Sequence, residues 1–225
     1  WYDRAIALSY RYKRPDLLAL WTQRKLATYP SPQNWRSGIV NVMTGAALGP
    51  EQSLDLYRLM AVTQALAGER DWQAYSALAT QQESFVEAKA VLDKGSSSGT
   101  LNRSDATVQK ALALLTPKAR KALANLPALE KKARAAGGGA QILAAADAAF
   151  GAANDAIAVA LYRLALQKGG IDTARANTRL GIALARTGDL AGGRAALAQV
   201  NTGPWAPVAG LWSIWIEGRT PRSAD

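Results

Sequence analysis

Carboxylates are the main side chains through which this chain could perform acid–base chemistry, because its 225 residues include no histidine and no cysteine. The chain therefore lacks the commonest metal ligands, the commonest general base near neutral pH and the thiol nucleophile. A single catalytic glutamate would suit a helical enzyme that cleaves glycans. The glutamates to consider for that role are Glu51, Glu69, Glu83, Glu87, Glu130 and Glu217.

The positions of these glutamates do not favour catalysis. Glu51 and Glu83 are predicted to lie at helix N-termini, where a carboxylate interacts favourably with the helix dipole. No two carboxylates recur at a spacing that suggests an acid and a base, and there is no nucleophile elbow, phosphate loop or metal-binding motif. The sequence predicts a protein that is not an enzyme and that holds no cofactor and no metal ion.

Lys and Arg side chains are concentrated in one segment of the chain. Residues 103–136 carry eight Lys or Arg against two acids, which is +6 of the net charge of +10 of the whole chain. Such a segment can bind nucleic acid, anionic lipid headgroups or an acidic protein, or can simply be a solvated helix face. It has no aromatic side chains for base stacking, so we expect no specific recognition of nucleic acid. The basic patch consists of Lys118, Arg120, Lys121, Lys131, Lys132 and Arg134.

The elements that position these groups are predicted to be helices. Ala and Leu are abundant, aromatic residues make up only 7% of the chain, and apolar residues recur at helical spacing. Trp1, Trp35 and Trp72 each begin a similar stretch, and their spacing of 34 and 37 residues is typical of an array of helix pairs. The predicted units are 1–29, 33–66 and 71–94, and a further helix is predicted over 205–219.

A small residue, a large one four positions later and a small one three positions after that recur in three places. They are Ala88, Leu92 and Gly95, then Ala158, Tyr162 and Ala165, then Gly193, Leu197 and Val200. This spacing resembles the second helix of a tetratricopeptide repeat, and Leu180-Gly181 with Leu184 resembles the first. Small residues opposite large ones let two helices approach closely.

The resemblance implies an all-α, right-handed superhelical solenoid of about five or six antiparallel helix pairs, irregular in the middle. We divide the chain into N-terminal pairs over 1–100, a basic, irregular helical connector over 101–139, and C-terminal pairs with a Trp-rich capping helix over 140–218. A flexible tail is expected over 219–225.

The resemblance also implies a concave groove lined by the first helix of each pair, and a function as a protein-interaction scaffold. The partner would be a protein or peptide. An acidic partner would suit the groove, because Arg and Gln side chains can pair with carboxylates and with peptide backbone. The alternative is a basic adaptor that binds an anionic polymer or a membrane surface through 103–136. The resemblance places these side chains in the groove: Tyr10, Arg36, Thr44, Arg70, Gln73, Gln81, Asp147, Arg175, Thr178 and Arg186.

Three features of the sequence bear on the location of the protein. The chain begins at Trp1 without an initiator Met, lacks cysteine and resembles repeat proteins of bacterial cell envelopes. These features favour a mature periplasmic or exported protein, with a cytoplasmic protein as the alternative. No apolar run is long enough to be a transmembrane segment, and the oligomeric state is left open.

Overall fold

The computed structural model describes residues 1–220, apart from the side chain of Pro15. This part of the chain is all-helical, with twelve helices and no strand, which confirms the predicted fold class at that level. Residues 221–225, most of the predicted tail, lie outside the described residues. The helices are α1 (Tyr2–Arg11), α2 (Pro15–Thr28), α3 (Pro32–Gly45), α4 (Pro50–Val62), α5 (Glu69–Gln81), α6 (Phe85–Ser97), α7 (Ala106–Arg134), α8 (Gly139–Gly151), α9 (Asp155–Lys168), α10 (Thr173–Arg186), α11 (Leu190–Leu197) and α12 (Ala206–Glu217).

Neighbouring helices pack in pairs, and four of the pairs share one turn geometry. In the α5–α6 turn, Glu83 has a φ of 56° and the amide of Ser84 donates to the carbonyl of Ala79. The turns of α1–α2, α8–α9 and α10–α11 repeat both features at the equivalent positions. Such a turn satisfies helix carbonyls that would otherwise lack partners, so the same local solution ends the first helix of each of these pairs.

Small residues allow the helices of a pair to approach closely. Gly181 of α10 lies against α11, where a Cβ atom on Gly181 would stand 2.6 Å from Cγ of Leu197 and 2.9 Å from the carbonyl oxygen of Gly193. Ala158 and Tyr162 of α9 are both fully buried. The residues that carry the small–large–small spacing therefore lie in the seams between helices.

The middle of the chain differs from the prediction of an irregular connector. Residues 106–134 form the single continuous helix α7, although Pro117 and Pro127 lie inside it. Both prolines are on the exposed side of α7, so the carbonyl groups that lose their helical partners there can be solvated. Helix α6 also extends beyond the predicted end of the third unit at residue 94, because it continues to Ser97 and Gly95 is buried beside Trp72.

The C-terminal helix α12 packs against α10 and α11 and also against α2 and α4. Its Trp212 is fully buried, and the indole Nε1–H donates to the backbone carbonyl of Asp55 in α4 at 3.1 Å. The N-terminal and C-terminal groups of helix pairs are therefore in direct contact, in addition to being connected through α7.

Candidate functional site

A chain of alternating charges crosses the interface between the two groups of helix pairs. Arg58 of α4 donates to Asp55 one turn earlier and to both carboxylate oxygens of Glu87 in α6, at 2.7 and 2.5 Å. Asp55 also accepts a hydrogen bond from Nε of Arg179 in α10 at 3.0 Å. Arg58 is 3% exposed, Arg179 is 5% exposed and Asp55 is fully buried.

The same network continues towards the surface through α8 and α10. Arg179 donates to Asp147 at 2.8 Å, and Asp147 is also held by Arg175 and by the hydroxyl of Tyr162 at 2.7 Å. Arg175 makes a second ion pair, with Glu51 of α4, at 2.8 Å. Four carboxylates and three guanidinium groups thus form one connected network that reaches solvent at Arg175 and Glu51.

Aromatic rings surround the buried guanidinium groups. Arg58 and Arg186 each lie 4.6 Å from the ring centroid of Phe150, and Arg179 lies 5.6 Å from that of Trp205. A cation over an aromatic face is attracted by the ring quadrupole, more strongly when it is desolvated. The rings therefore add a favourable cation–π contact to the ion pairs of these arginines.

The arginines favour the ionised forms of Glu87 and Asp147. Burial acts to raise the pKa of Glu87, but the charge of Arg58 and the hydrogen bonds from Arg58, Tyr75 and Ser84 outweigh it, so the pKa lies below its ordinary value. The pKa of Asp147 is also lowered, because Arg179, Arg175 and Tyr162 outweigh burial. A general acid needs a raised pKa near neutral pH, so these two carboxylates are unsuited to that role.

A cleft of about 540 Å³ opens at the surface end of the network. It lies between the α5–α6 turn, the middle of α7 and the outer face of α8. Asp147 and Arg175, both predicted for the groove, lie at its wall together with the amide side chains of Gln82 and Asn125. Its apolar lining comes from Phe85, Val86, Leu126, Leu129 and alanines of α7 and α8.

The structure places the other predicted groove residues outside this cleft. Thr178 is fully buried and donates its hydroxyl to the carbonyl of Ala174 at 2.8 Å, so it has no surface to offer a partner. Arg36 pairs with Asp71, and Arg186 lies 3.4 Å from Asp155. Gln73 donates to Glu69 at 2.7 Å. The remaining four, Tyr10, Thr44, Arg70 and Gln81, are exposed.

One of these exposed residues belongs to a separate cavity. Tyr10 lines a space of about 510 Å³ at the α1–α2 turn, together with Arg11, Lys13 and Leu18. This cavity is remote in sequence from α8 and α10 and shares no lining residue with the cleft. Of the ten predicted groove residues, Asp147 and Arg175 line the cleft, Tyr10 lines this second cavity, and the other seven line neither.

The basic patch lies along α7. All six of its residues are exposed. Lys118 lies 4.7 Å from the ring centroid of Phe85, and Arg134 forms an ion pair with Glu130 at 2.7 Å. The patch is therefore available at the surface, as predicted for a charged helix face.

The comparisons with known proteins identify no relative: no protein-family model matches the chain, and no curated protein sequence matches it. Within residues 1–220 no helix combines the length and the apolar character needed to cross a membrane. In the same residues no group of three or more acidic side chains is arranged to hold a metal ion.

Proposed function

We propose that this protein is a non-catalytic interaction scaffold whose helix pairs form a tetratricopeptide-like, right-handed solenoid, and that it binds a peptide segment of a partner protein in the cleft beside Arg175. The shared turn geometry of four helix pairs and the close α10–α11 seam support the repeat interpretation. The observation that carries the proposal is the cleft itself, which joins an apolar floor to amide and guanidinium groups.

The chemistry of the cleft suits a peptide. Phe85, Leu126 and Leu129 can cover apolar side chains, while the amides of Gln82 and Asn125 can pair with a peptide backbone. The side chain of Arg175 is 25% exposed and already pairs with Glu51 and Asp147, so its guanidinium can donate a further hydrogen bond to a neutral acceptor such as a peptide carbonyl. Concave sites with a mainly apolar lining and a few placed polar groups are typical of ligand binding.

The state of the carboxylates argues against the enzyme alternative. Glu87 and Asp147 are held ionised by arginines, Glu51 pairs with Arg175, and Glu130 pairs with Arg134. Asp155 has a raised pKa, chiefly because of burial, but it lies beside Arg186 and away from the cleft lining.

A location outside the cytoplasm stays a prediction.

Selection from a peptide library tests the proposal. Peptides displayed on phage would be selected on the immobilised natural chain alone, and their affinity would then be measured for the variant Ala148→Trp, because Ala148 is exposed on the cleft wall and a Trp there would fill the cleft without disturbing the core. Selected peptides should bind the natural chain and the control Ala156→Trp equally, since Ala156 is exposed on α9 and does not line the cleft.

The expected loss of affinity in Ala148→Trp is at least about 10-fold, the effect of losing a single well-packed contact in a binding site. Circular dichroism of both variants would check that the helices remain intact. If the selected peptides bind Ala148→Trp as tightly as the natural chain, or if no peptide is enriched, the cleft is not the binding site.

A further inference from the structure

The outward face of α7 has a regular chemistry that the cleft does not use. Residues 109–113 read Gln-Lys-Ala-Leu-Ala, residues 120–124 read Arg-Lys-Ala-Leu-Ala, and residues 131–135 read Lys-Lys-Ala-Arg-Ala. The period is 11 residues, which makes just over three turns of helix and about 16.5 Å of axial rise. A lysine and the alanines one and three positions after it therefore return to nearly the same side of α7 three times.

This period arranges the cations in two straight rows. Lys110, Lys121 and Lys132 form the first row, and Arg120 and Lys131 form the second, about 100° away around the helix. All five side chains are exposed, and none of them makes an ion pair with another residue in the described part of the chain. Arg134, by contrast, is neutralised by Glu130.

A flat strip of small residues separates the two rows. Ala113, Pro117, Ala124 and Ala128 lie between them by helical geometry, and all four are exposed. The only large apolar side chain beside the first row is Leu114, which is 52% exposed. Small residues let the axis of a second helix come within 8–10 Å, whereas the flanking cations would then require carboxylates on that helix.

We propose that the outward face of α7 docks an acidic amphipathic helix of a partner protein, with small or apolar residues on the α7 strip and Asp or Glu opposite the two rows of cations. Charge complementarity selects this occupant, because a second copy of the chain would bring the same positive rows into contact. Leu126 of the cleft lies on the opposite side of α7 from the strip by helical geometry, and none of the five cations lines the cleft, so the inference goes beyond the proposed peptide cleft.

Other anionic partners fit the surface less well. A membrane surface would gain little besides charge, because the strip has no large apolar side chain, and Leu114 and Leu123, the large apolar side chains exposed on α7, are two leucines far apart around the helix with no aromatic residue beside them. Nucleic acid would find no aromatic side chain on this face for stacking. Neither partner requires a smooth strip of small residues between the rows, whereas a packed helix does.

The test uses a synthetic alanine-based helix about as long as α7, with glutamates placed to face the two rows, and an isomeric peptide with the same glutamates dispersed around the helix. Binding of each fluorescent peptide would be measured by anisotropy. The designed helix should bind at least about 10-fold more tightly than the isomer, because only the first can pair with both rows while its apolar side lies on the strip.

Two sets of variants identify the surface. K110E/K121E/K132E should weaken binding of the designed helix by about 30-fold or more. R163E/K168E/R194E carries the same change in net charge at exposed positions outside α7 and should have little effect. A124W/A128W should also abolish most of the binding, because the bulky rings would keep a helix from the strip without touching the cations.

Polyglutamate, duplex DNA and vesicles of phosphatidylglycerol serve as the competing ligands. The proposal would be overturned if one of these three ligands bound more tightly than the designed helix and if A124W/A128W did not weaken that binding. The surface would then be a general anion site. Equal binding of the two peptides, or no binding of either, would overturn it as well. A148W should still bind the designed helix. Failure of the proposed peptide cleft and failure of the proposed α7 surface can therefore be told apart.

Discussion

At the residue scale, each buried arginine of the network is bound by carboxylates from more than one helix. Arg179 joins Asp55 of α4 to Asp147 of α8, and Arg58 joins Asp55 to Glu87 of α6. Burying a charge is costly unless it is paired and hydrogen-bonded. Removing one member therefore leaves its partners as uncompensated charges inside the protein.

We expect Arg179→Met to lower the free energy of unfolding by about 3–5 kcal/mol, because Asp55 and Asp147 would both lose a buried partner. Arg179→Lys should have an intermediate effect, since one ammonium group cannot reproduce the two directions of the guanidinium donors. Urea denaturation followed by circular dichroism measures both values.

The matched control is Arg163→Met. Arg163 is exposed on α9 and takes no part in the network, so the change should alter stability by less than about 0.5 kcal/mol. Equal stability of Arg179→Met and Arg163→Met would mean that the buried network contributes nothing to folding.

At the element scale, the close packing of helix pairs depends on the absence of side chains at a few positions. Gly181 illustrates this, because the atoms nearest to an added Cβ include the backbone carbonyl of Gly193, which cannot move without its helix. Gly210 of α12 differs, because an added Cβ would meet only the end of the flexible Gln23 side chain.

We expect Gly181→Ala to destabilise the protein by about 1–3 kcal/mol, the usual cost of overpacking a seam, although alanine favours helix over glycine by about 1 kcal/mol. Gly210→Ala should be neutral or stabilising, because the propensity gain meets no rigid neighbour. Thermal unfolding of the two variants gives the comparison. A stabilised Gly181→Ala would show that α10 and α11 are not packed this closely.

The sequence is sufficient to predict an all-helical chain in which neighbouring helices pack in pairs. Trp35 and Trp72 are buried, as expected for residues that begin apolar stripes, whereas Trp1 is 82% exposed. Ala88, Ala158 and Gly193 lie in the seams. It predicts α7 poorly, because it indicates an irregular connector over 101–139, whereas the exposed positions of Pro117 and Pro127 allow the helix to continue. The spacing of apolar residues thus predicts which face of a helix is buried better than it predicts where a helix ends.

At the scale of the whole molecule, the two groups of helix pairs are connected by contacts between residues far apart in sequence. Asp55 and Arg179 are separated by 124 positions, and Trp212 donates to the carbonyl of Asp55 across 157 positions. No spacing rule links such residues. The repeat pattern therefore assigned Arg175 and Thr178 to an open groove, whereas α10 faces α4 and α12 in the folded protein.

Because the network extends across both groups of helix pairs, we expect them to unfold together. Urea denaturation should give one transition, with the same midpoint by circular dichroism and by tryptophan fluorescence. Trp212→Phe removes the indole donor to Asp55 and should shift that single midpoint downwards. Two separated transitions in the natural chain would mean that the two groups fold independently.

The same connection makes the whole protein sensitive to acid. The pKa values of Glu87 and Asp147 are lowered in the folded state, in each case because arginine charges outweigh burial. A lowered pKa contributes stability that is present above the unfolded value, about 4.3 for Glu and about 3.9 for Asp, and that is lost as the pH falls through the folded value. Asp155, whose pKa is raised, acts in the opposite direction and offsets part of this loss.

We therefore expect the free energy of unfolding to be nearly constant from about pH 7 to about pH 5 and to fall steadily below about pH 4.5. Glu87→Gln should be less stable than the natural chain at neutral pH, because Arg58 loses a charged partner, and should lose less on acidification, because one titrating carboxylate is gone. Urea midpoints across this pH range measure both effects. Stability that stays constant down to about pH 3.5 in the natural chain would contradict the pairing of these carboxylates with arginines in the folded state.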